Sequence, residues 1–167
     1  MTLERLWAGW RAGYVTNAAA MPLTGPAECL FCALAKAPDE DALVVARNDL
    51  TFAVMNAFPY TSGHLMVAPI RHEAELEGLK ADEVASAMET AQRAVRALKA
   101  AYTPHGLNVG LNLGRPAGAG VPGHLHFHVL PRWDGDTNFM TSVAETRVLP
   151  EDLHTSWEKV RAAWPAI

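Results

Sequence analysis

Apolar and polar positions alternate along much of the chain in short runs separated by turn formers, and one longer stretch repeats every three to four residues. Ala42 to Ala46, Thr51 to Asn56 and His64 to Pro69 have the length and composition of strands. Asn48-Asp49 and Pro59 to Gly63 make connections too short for a parallel crossover, which predicts an antiparallel meander. Residues 81 to 101 predict the clearest helix, with Val84, Met88, Ala91, Val95 and Leu98 as its packing stripe. Thr103-Pro104-His105-Gly106 ends that helix, and Leu107 to Leu113 alternates again as a strand. A last helix opens at Pro150-Glu151-Asp152-Leu153, with Leu153, Trp157, Val160 and Trp164 available for packing. Near the start, Leu3, Leu6, Trp7, Trp10 and Tyr14 fall at helical intervals within residues 3 to 15, and residues 16 to 28 read as an irregular connector. These elements together predict an α+β fold.

The most informative alternation is Gly123 to Trp133, where His124, His126 and His128 interleave with Leu125, Phe127 and Val129. An extended strand would place the imidazoles on one face and the hydrocarbon on the other. Burying the apolar face fixes the register, because a one-residue slip would drive the imidazoles into the core. Side chains two apart on a strand stand roughly 6.5 to 7 Å apart, a spacing suited to an extended ligand such as a chain of phosphates. Imidazole near neutral pH can be nucleophile, proton carrier or metal ligand. The loop before the triad, Gly114 to Gly123, carries glycines at 114, 118, 120 and 123, which let backbone amides approach an anion closely.

Composition narrows the classes. A chain of 167 residues, half of them hydrophobic, suits one domain over 1–167, with 1–28 as an aromatic segment and connector. The net charge of -4 argues against a broad basic surface and against nucleic acid as a partner, although Arg71, Arg115 or Arg132 could supply local positive potential. No apolar run approaches the roughly 20 residues needed to span a bilayer, and the first residues do not form a signal peptide. No membrane partner is expected, and the compartment expected is the cytoplasm. The two cysteines, Cys29 and Cys32, are spaced as a metal or redox pair rather than a disulfide framework.

The run His124-x-His126-x-His128 followed by Val129-Leu130 resembles the signature of the histidine-triad (HIT) nucleotide hydrolases and transferases. Further likeness lies in Leu6 to Arg11, Cys29 to Cys32, Gly63 to Pro69 and Asp134 to Met140, and is strongest to the bacterial branch related to diadenosine tetraphosphate phosphorylases. The resemblance implies a HIT-like antiparallel β-sheet with flanking helices, and a homodimer. It implies that His126 is the nucleophile forming a nucleotidyl-histidine, that His128 contacts the bridging or leaving oxygen, and that Asn56 meets the ribose. Asn112, Gly118 and Gly120 would serve the phosphates. Zinc would be held by Cys29, Cys32, His72 and His124, and His64 would be a structural histidine beside the site. Substrates would be dinucleoside polyphosphates or related nucleoside phosphates, with water or phosphate as acceptor. In the better-known hydrolases Ala-Gly-Gln precedes the triad; here Ala117-Gly118-Ala119-Gly120 stands in a loop one residue longer, so that substrate preference does not carry over. The rival expectations are a nucleotide-binding regulatory module with little turnover and a zinc-dependent redox or scaffold protein built on the cysteines.

Overall fold

Strands β1 (Val44–Arg47), β2 (Thr51–Met55) and β3 (Leu65–Pro69) form the expected meander, each within two residues of its predicted bounds. The structure, a computed structural model, describes residues 25–137 and 149–166. The segment 3–15, most of the connector 16–28, and Asn138-Phe139-Met140 lie outside the described residues. β4 (Gly106–Leu111) and β5 (Phe127–Arg132) complete one five-stranded sheet in the order β1-β2-β3-β5-β4, with antiparallel pairing throughout. This is the α+β class expected from the sequence, with helices flanking the sheet. β2 and β3 are buried along their whole length, as central strands covered on both faces must be.

The triad strand differs from expectation. Pairing on both sides of β5 stops at Phe127, opposite Val67 and Leu111, so His124, Leu125 and His126 precede the ladder. Beyond Val67 the neighbouring strand runs out at Pro69, which has no N–H to donate. The Leu125 amide turns to the Glu73 carbonyl at 2.6 Å instead. His124 is thereby freed from the alternation and points elsewhere.

One face of the sheet is covered by α2 (Ala81–Tyr102) and α3 (Leu153–Ala162). Of the predicted packing stripe of α2, Ala91 and Leu98 are buried and Val95 packs against the core, but Val84 and Met88 are not in it; Glu83, Ala87, Thr90, Ala94 and Ala97 complete the buried side. Alanines let the helix lie close on β2, β3 and β5, and that rotation leaves Val84 44% and Met88 48% exposed. α3 starts at Asp152, whose carboxylate accepts from the Thr155 amide at 2.9 Å, and sends Trp157 and Val160 into the same core. The Trp157 indole N–H donates to the Val44 carbonyl at 3.0 Å, fastening α3 to β1.

The opposite face packs the short helix α1 (Leu30–Leu34) and the cysteines against Val44, Phe52, Val54 and Met66. Gly63 turns the chain into β3 with φ +79°, and a Cβ there would come within 2.6 Å of the Tyr102 ring. Only glycine fits that corner, which delivers His64 into the interior. Among the described residues no helix is long and apolar enough to cross a membrane.

Candidate active site

His126 and His128 line a cavity of about 560 Å³ on the α1 side of the sheet, together with Phe31, Asn56, Tyr60, Met66, Gly118 and Gly120. His126 lies between aromatic neighbours: its ring stacks on Phe31 at 4.7 Å between centroids and meets His128 edge-on at 5.0 Å. The two imidazoles are therefore closer than ideal strand spacing allows. His126 Nδ1 lies 2.8 Å from the His124 carbonyl oxygen, which can only accept. Nδ1 thus carries the proton, and Nε2 keeps its lone pair. Burial holds the imidazole below its ordinary pKa, so the ring is neutral at physiological pH.

A second chain of hydrogen bonds fixes His128. The Tyr60 amide donates to His64 Nδ1 at 3.1 Å, and the Asn56 side-chain amide adds a contact at 3.3 Å. His64 Nε2 therefore bears the proton and donates to His128 Nδ1 at 2.9 Å. His128 is left with its proton on Nε2. Burial, and next the neighbouring His126, push the His128 pKa down to about 4. The site then offers one ring nitrogen as a nucleophile and another as a donor. His64 is fully buried, in keeping with the structural role expected of it.

His124 belongs to a different environment. It is buried, and its Nε2 lies 2.9 Å from the Pro69 carbonyl, which sets Nε2 as the donor and Nδ1 as the free lone pair. That Nδ1 lies 3.3 Å from Cys29 Sγ and 3.7 Å from Cys32 Sγ, and His72 Nδ1 lies 3.4 Å from Cys32 Sγ. One ligand atom from each of Cys29, Cys32, His72 and His124 lies within 4.8 Å of the others. Two thiols and two imidazoles at this spacing, one imidazole with its lone pair turned inward, form a donor set that could hold a metal ion. The three triad rings thus do not share one wall as the alternation predicts; the first faces the cysteines and the other two face the cavity.

A HIT domain model matches residues 37–135, more than half of the chain. An AP-4-A phosphorylase of Mycobacterium tuberculosis (strain H37Rv) is 42% identical over 166 residues, covering 97% of this chain and 85% of the relative. The chain belongs to the HIT family. A Zn-bound histidine triad family protein from Mycobacterium smegmatis superposes with a TM-score of 0.68 at 31% identity, over 83% of this chain and 94% of that one. A hypothetical histidine triad nucleotide-binding protein from Sulfolobus tokodaii has the same fold, with a TM-score of 0.65 at 24% identity, over 81% of this chain and 91% of that one.

The other expected HIT residues gather less directly. Asn56 lines the cavity, but its Oδ1 accepts from the Phe58 amide at 2.9 Å while its amide supports His64, so it also braces the turn. Gly118, with φ +100°, lines the cavity, but its amide is spent on the Arg115 carbonyl at 2.9 Å, and the Ala119 amide turns to Gly114 O at 3.3 Å. Gly118 therefore shapes the loop instead of offering its N–H to an anion. Gly120 is exposed and also lines the cavity. Asn112 reaches the site only through the Gly118 carbonyl, at 3.5 Å.

Arg71 and Arg132, considered above as local cations, are both held in ion pairs. Arg71 is paired with Glu83 at 2.7 Å and Glu73 at 2.9 Å, and it pins the loop carrying His72 to the start of α2. Arg132 is paired with Asp136 at 2.7 Å. Two further residues shape the site without being marked by the sequence pattern: Phe31, which stacks on His126, and Tyr60, whose ring lies 5.9 Å from His128 and nearly parallel to it. Phe31 sits between the two cysteines, whose spacing is the stronger signal there; nothing in the alternation points to Tyr60.

Proposed function

We propose that this HIT-family enzyme transfers a nucleotidyl group from a dinucleoside polyphosphate, or a related nucleoside phosphate, through a covalent adduct on His126. The observation that carries it is the His126 Nδ1 to His124 O hydrogen bond of 2.8 Å, which leaves Nε2 unprotonated on a ring lining the cavity. In the first step Nε2 bonds to the α-phosphorus as the bond from phosphorus to the bridging oxygen breaks. That oxygen takes a hydrogen bond from His128 Nε2–H and leaves as a phosphate anion, with the proton staying on His128. In the second step water, losing a proton to solvent, or an oxyanion of phosphate attacks the same phosphorus, the phosphorus–nitrogen bond breaks, and His126 returns to its starting form with Nδ1 still protonated. The acceptor decides between hydrolysis and phosphorolysis, and the likeness to the Mycobacterium tuberculosis phosphorylase favours phosphate. Asn56 would meet the ribose hydroxyls, and Gly120, on a loop shaped by Asn112 and Gly118, the phosphates.

The metal suited to the Cys29, Cys32, His72 and His124 set is zinc, a reading supported by the Zn-bound state of the Mycobacterium smegmatis neighbour. Zinc there would cross-link the α1 segment, the loop after β3 and the triad, and it would supply no bond-making chemistry. The exposed Met88 and Val84, with Val109 on the outermost strand β4, support a homodimer formed through that edge and the outer face of α2.

The test is intact-protein mass after brief mixing with diadenosine tetraphosphate, with and without inorganic phosphate, for the native chain and His126→Ala. A native-only nucleotidyl adduct, resolved to ADP and ATP in phosphate, is the expected result. Tight binding with neither adduct nor turnover would favour a regulatory nucleotide-binding module.

A further inference from the structure

A second cavity, of about 510 Å³, lies across the Asn56 to Gly63 loop from the first and is lined by Tyr60, Ser62, Tyr102, Trp133, Glu151 and Leu149, among others. Tyr60 lines both cavities. Its ring lies 5.9 Å from that of His128, the residue placed at the leaving oxygen, so Tyr60 joins that end of the first cavity to the second. The second cavity is close in size to the first and within the roughly 300–1,000 Å³ that small ligands occupy.

Its walls suit a flat, partly polar ring. Tyr102 and Trp133 meet edge to face at 6.0 Å, which gives aromatic surface on two sides. Ser62 is 6% exposed, and its Oγ has no hydrogen-bond partner among the described residues. A buried hydroxyl left without a partner costs free energy that a ligand group can recover. The carboxylates do not repel a polyphosphate, because Asp136 is paired with Arg132, and Glu151 with Lys159. Glu151 also accepts from the Tyr102 and Ser156 hydroxyls, so the cavity's polar wall is held in place before any ligand arrives.

Resting on the nucleotidyl-transfer reading above, we propose that this second cavity receives the nucleoside of the leaving nucleotide. The two cavities then take the two ends of one dinucleoside polyphosphate, with the phosphate chain crossing His126, His128 and Tyr60. This makes Trp133, Tyr102 and Ser62 determinants of the preference for a dinucleotide over a mononucleotide.

The experiment compares kcat/KM for diadenosine tetraphosphate and adenosine 5′-tetraphosphate, which deliver the same nucleotidyl group but leave with and without a nucleoside. The native protein should prefer the dinucleotide by about tenfold or more, equivalent to about 1.4 kcal/mol. Trp133→Ala, which removes a wall, and Leu149→Trp, which fills the cavity from its rim, should each bring that ratio toward one, with the loss carried by the dinucleotide. Should Trp133→Ala fail to fold, Leu149→Trp decides alone. A native ratio near one, or variants that lower both substrates alike, would overturn the inference while the transfer reading stands. Failure of the native protein to process either substrate would overturn both.

Discussion

At the scale of single residues, the two working rings are set by their neighbours' hydrogen bonds. One carbonyl assigns the tautomer of His126, and the Tyr60 amide, passed through His64, assigns that of His128. Replacing His64 with Asn should therefore lower kcat by about 10²-fold, the scale of a misplaced proton donor, with little change in KM. Steady-state kinetics on a variant whose fold is confirmed by circular dichroism checks this; a fall confined to KM would contradict it. A pH dependence follows from the same groups. Burial lowers the pKa of both His126 and His128, the latter to about 4 from 6.5. His126 should stay neutral below the pH at which a free imidazole protonates, and the acid limb of adduct formation, followed by rapid quench, should lie below pH 6.5. The sign for stability is the same. Between about pH 6.5 and 4 the unfolded chain takes up a proton that folded His128 refuses, so stability is complete above that window and declines as pH falls through it.

At the scale of elements, α1, the loop after β3 and the entry to β5 meet at the cysteine–histidine cluster. None of these segments has a long ladder of its own, so the cluster carries much of their order. Cys29→Ser, or prolonged chelation of the native protein, should cost about 3 kcal/mol, or about 6–12 °C in Tm for a chain of this size. Differential scanning calorimetry with metal analysis measures both quantities; an unchanged Tm on complete metal loss would show that the cluster does not brace the fold. The alternation of the strands, the stop signal after α2 and the Gly63-His64 corner are all legible in the sequence, because period and turn chemistry are local. The end of the β5 ladder is not, since it depends on where the partner strands stop. Part of the buried face of α2 escapes the pattern for a related reason: periodicity ranks side chains by hydrophobicity and finds Ala91 and Leu98, whereas the sheet also selects Ala87, Ala94 and Ala97 for their small size.

At the scale of the whole molecule, what remains outside is as informative as the core. Met88 and Val109, 48% and 49% exposed, flank a shallow groove that also includes Val95 and Arg96. Among the described residues β4 is the last strand of the sheet. If copies join there, Met88→Glu combined with Val109→Lys should give a monomer by light scattering with unchanged secondary structure, because neither side chain is in the core. An unaltered oligomeric state, or a native protein that is already a monomer, would rule that surface out.

Two of the contacts of His124 are independent of each other: its ring enters the cysteine cluster, and its main-chain oxygen holds the ring two positions later. Every amino acid carries that oxygen. A chain that lost the imidazole at this position, and with it any ion, would still hand His126 a correctly placed proton acceptor, provided the backbone kept its path. If the proposed roles hold, mineral anchorage and readiness to attack phosphorus could therefore be lost or refined one at a time, although a single residue would underwrite both.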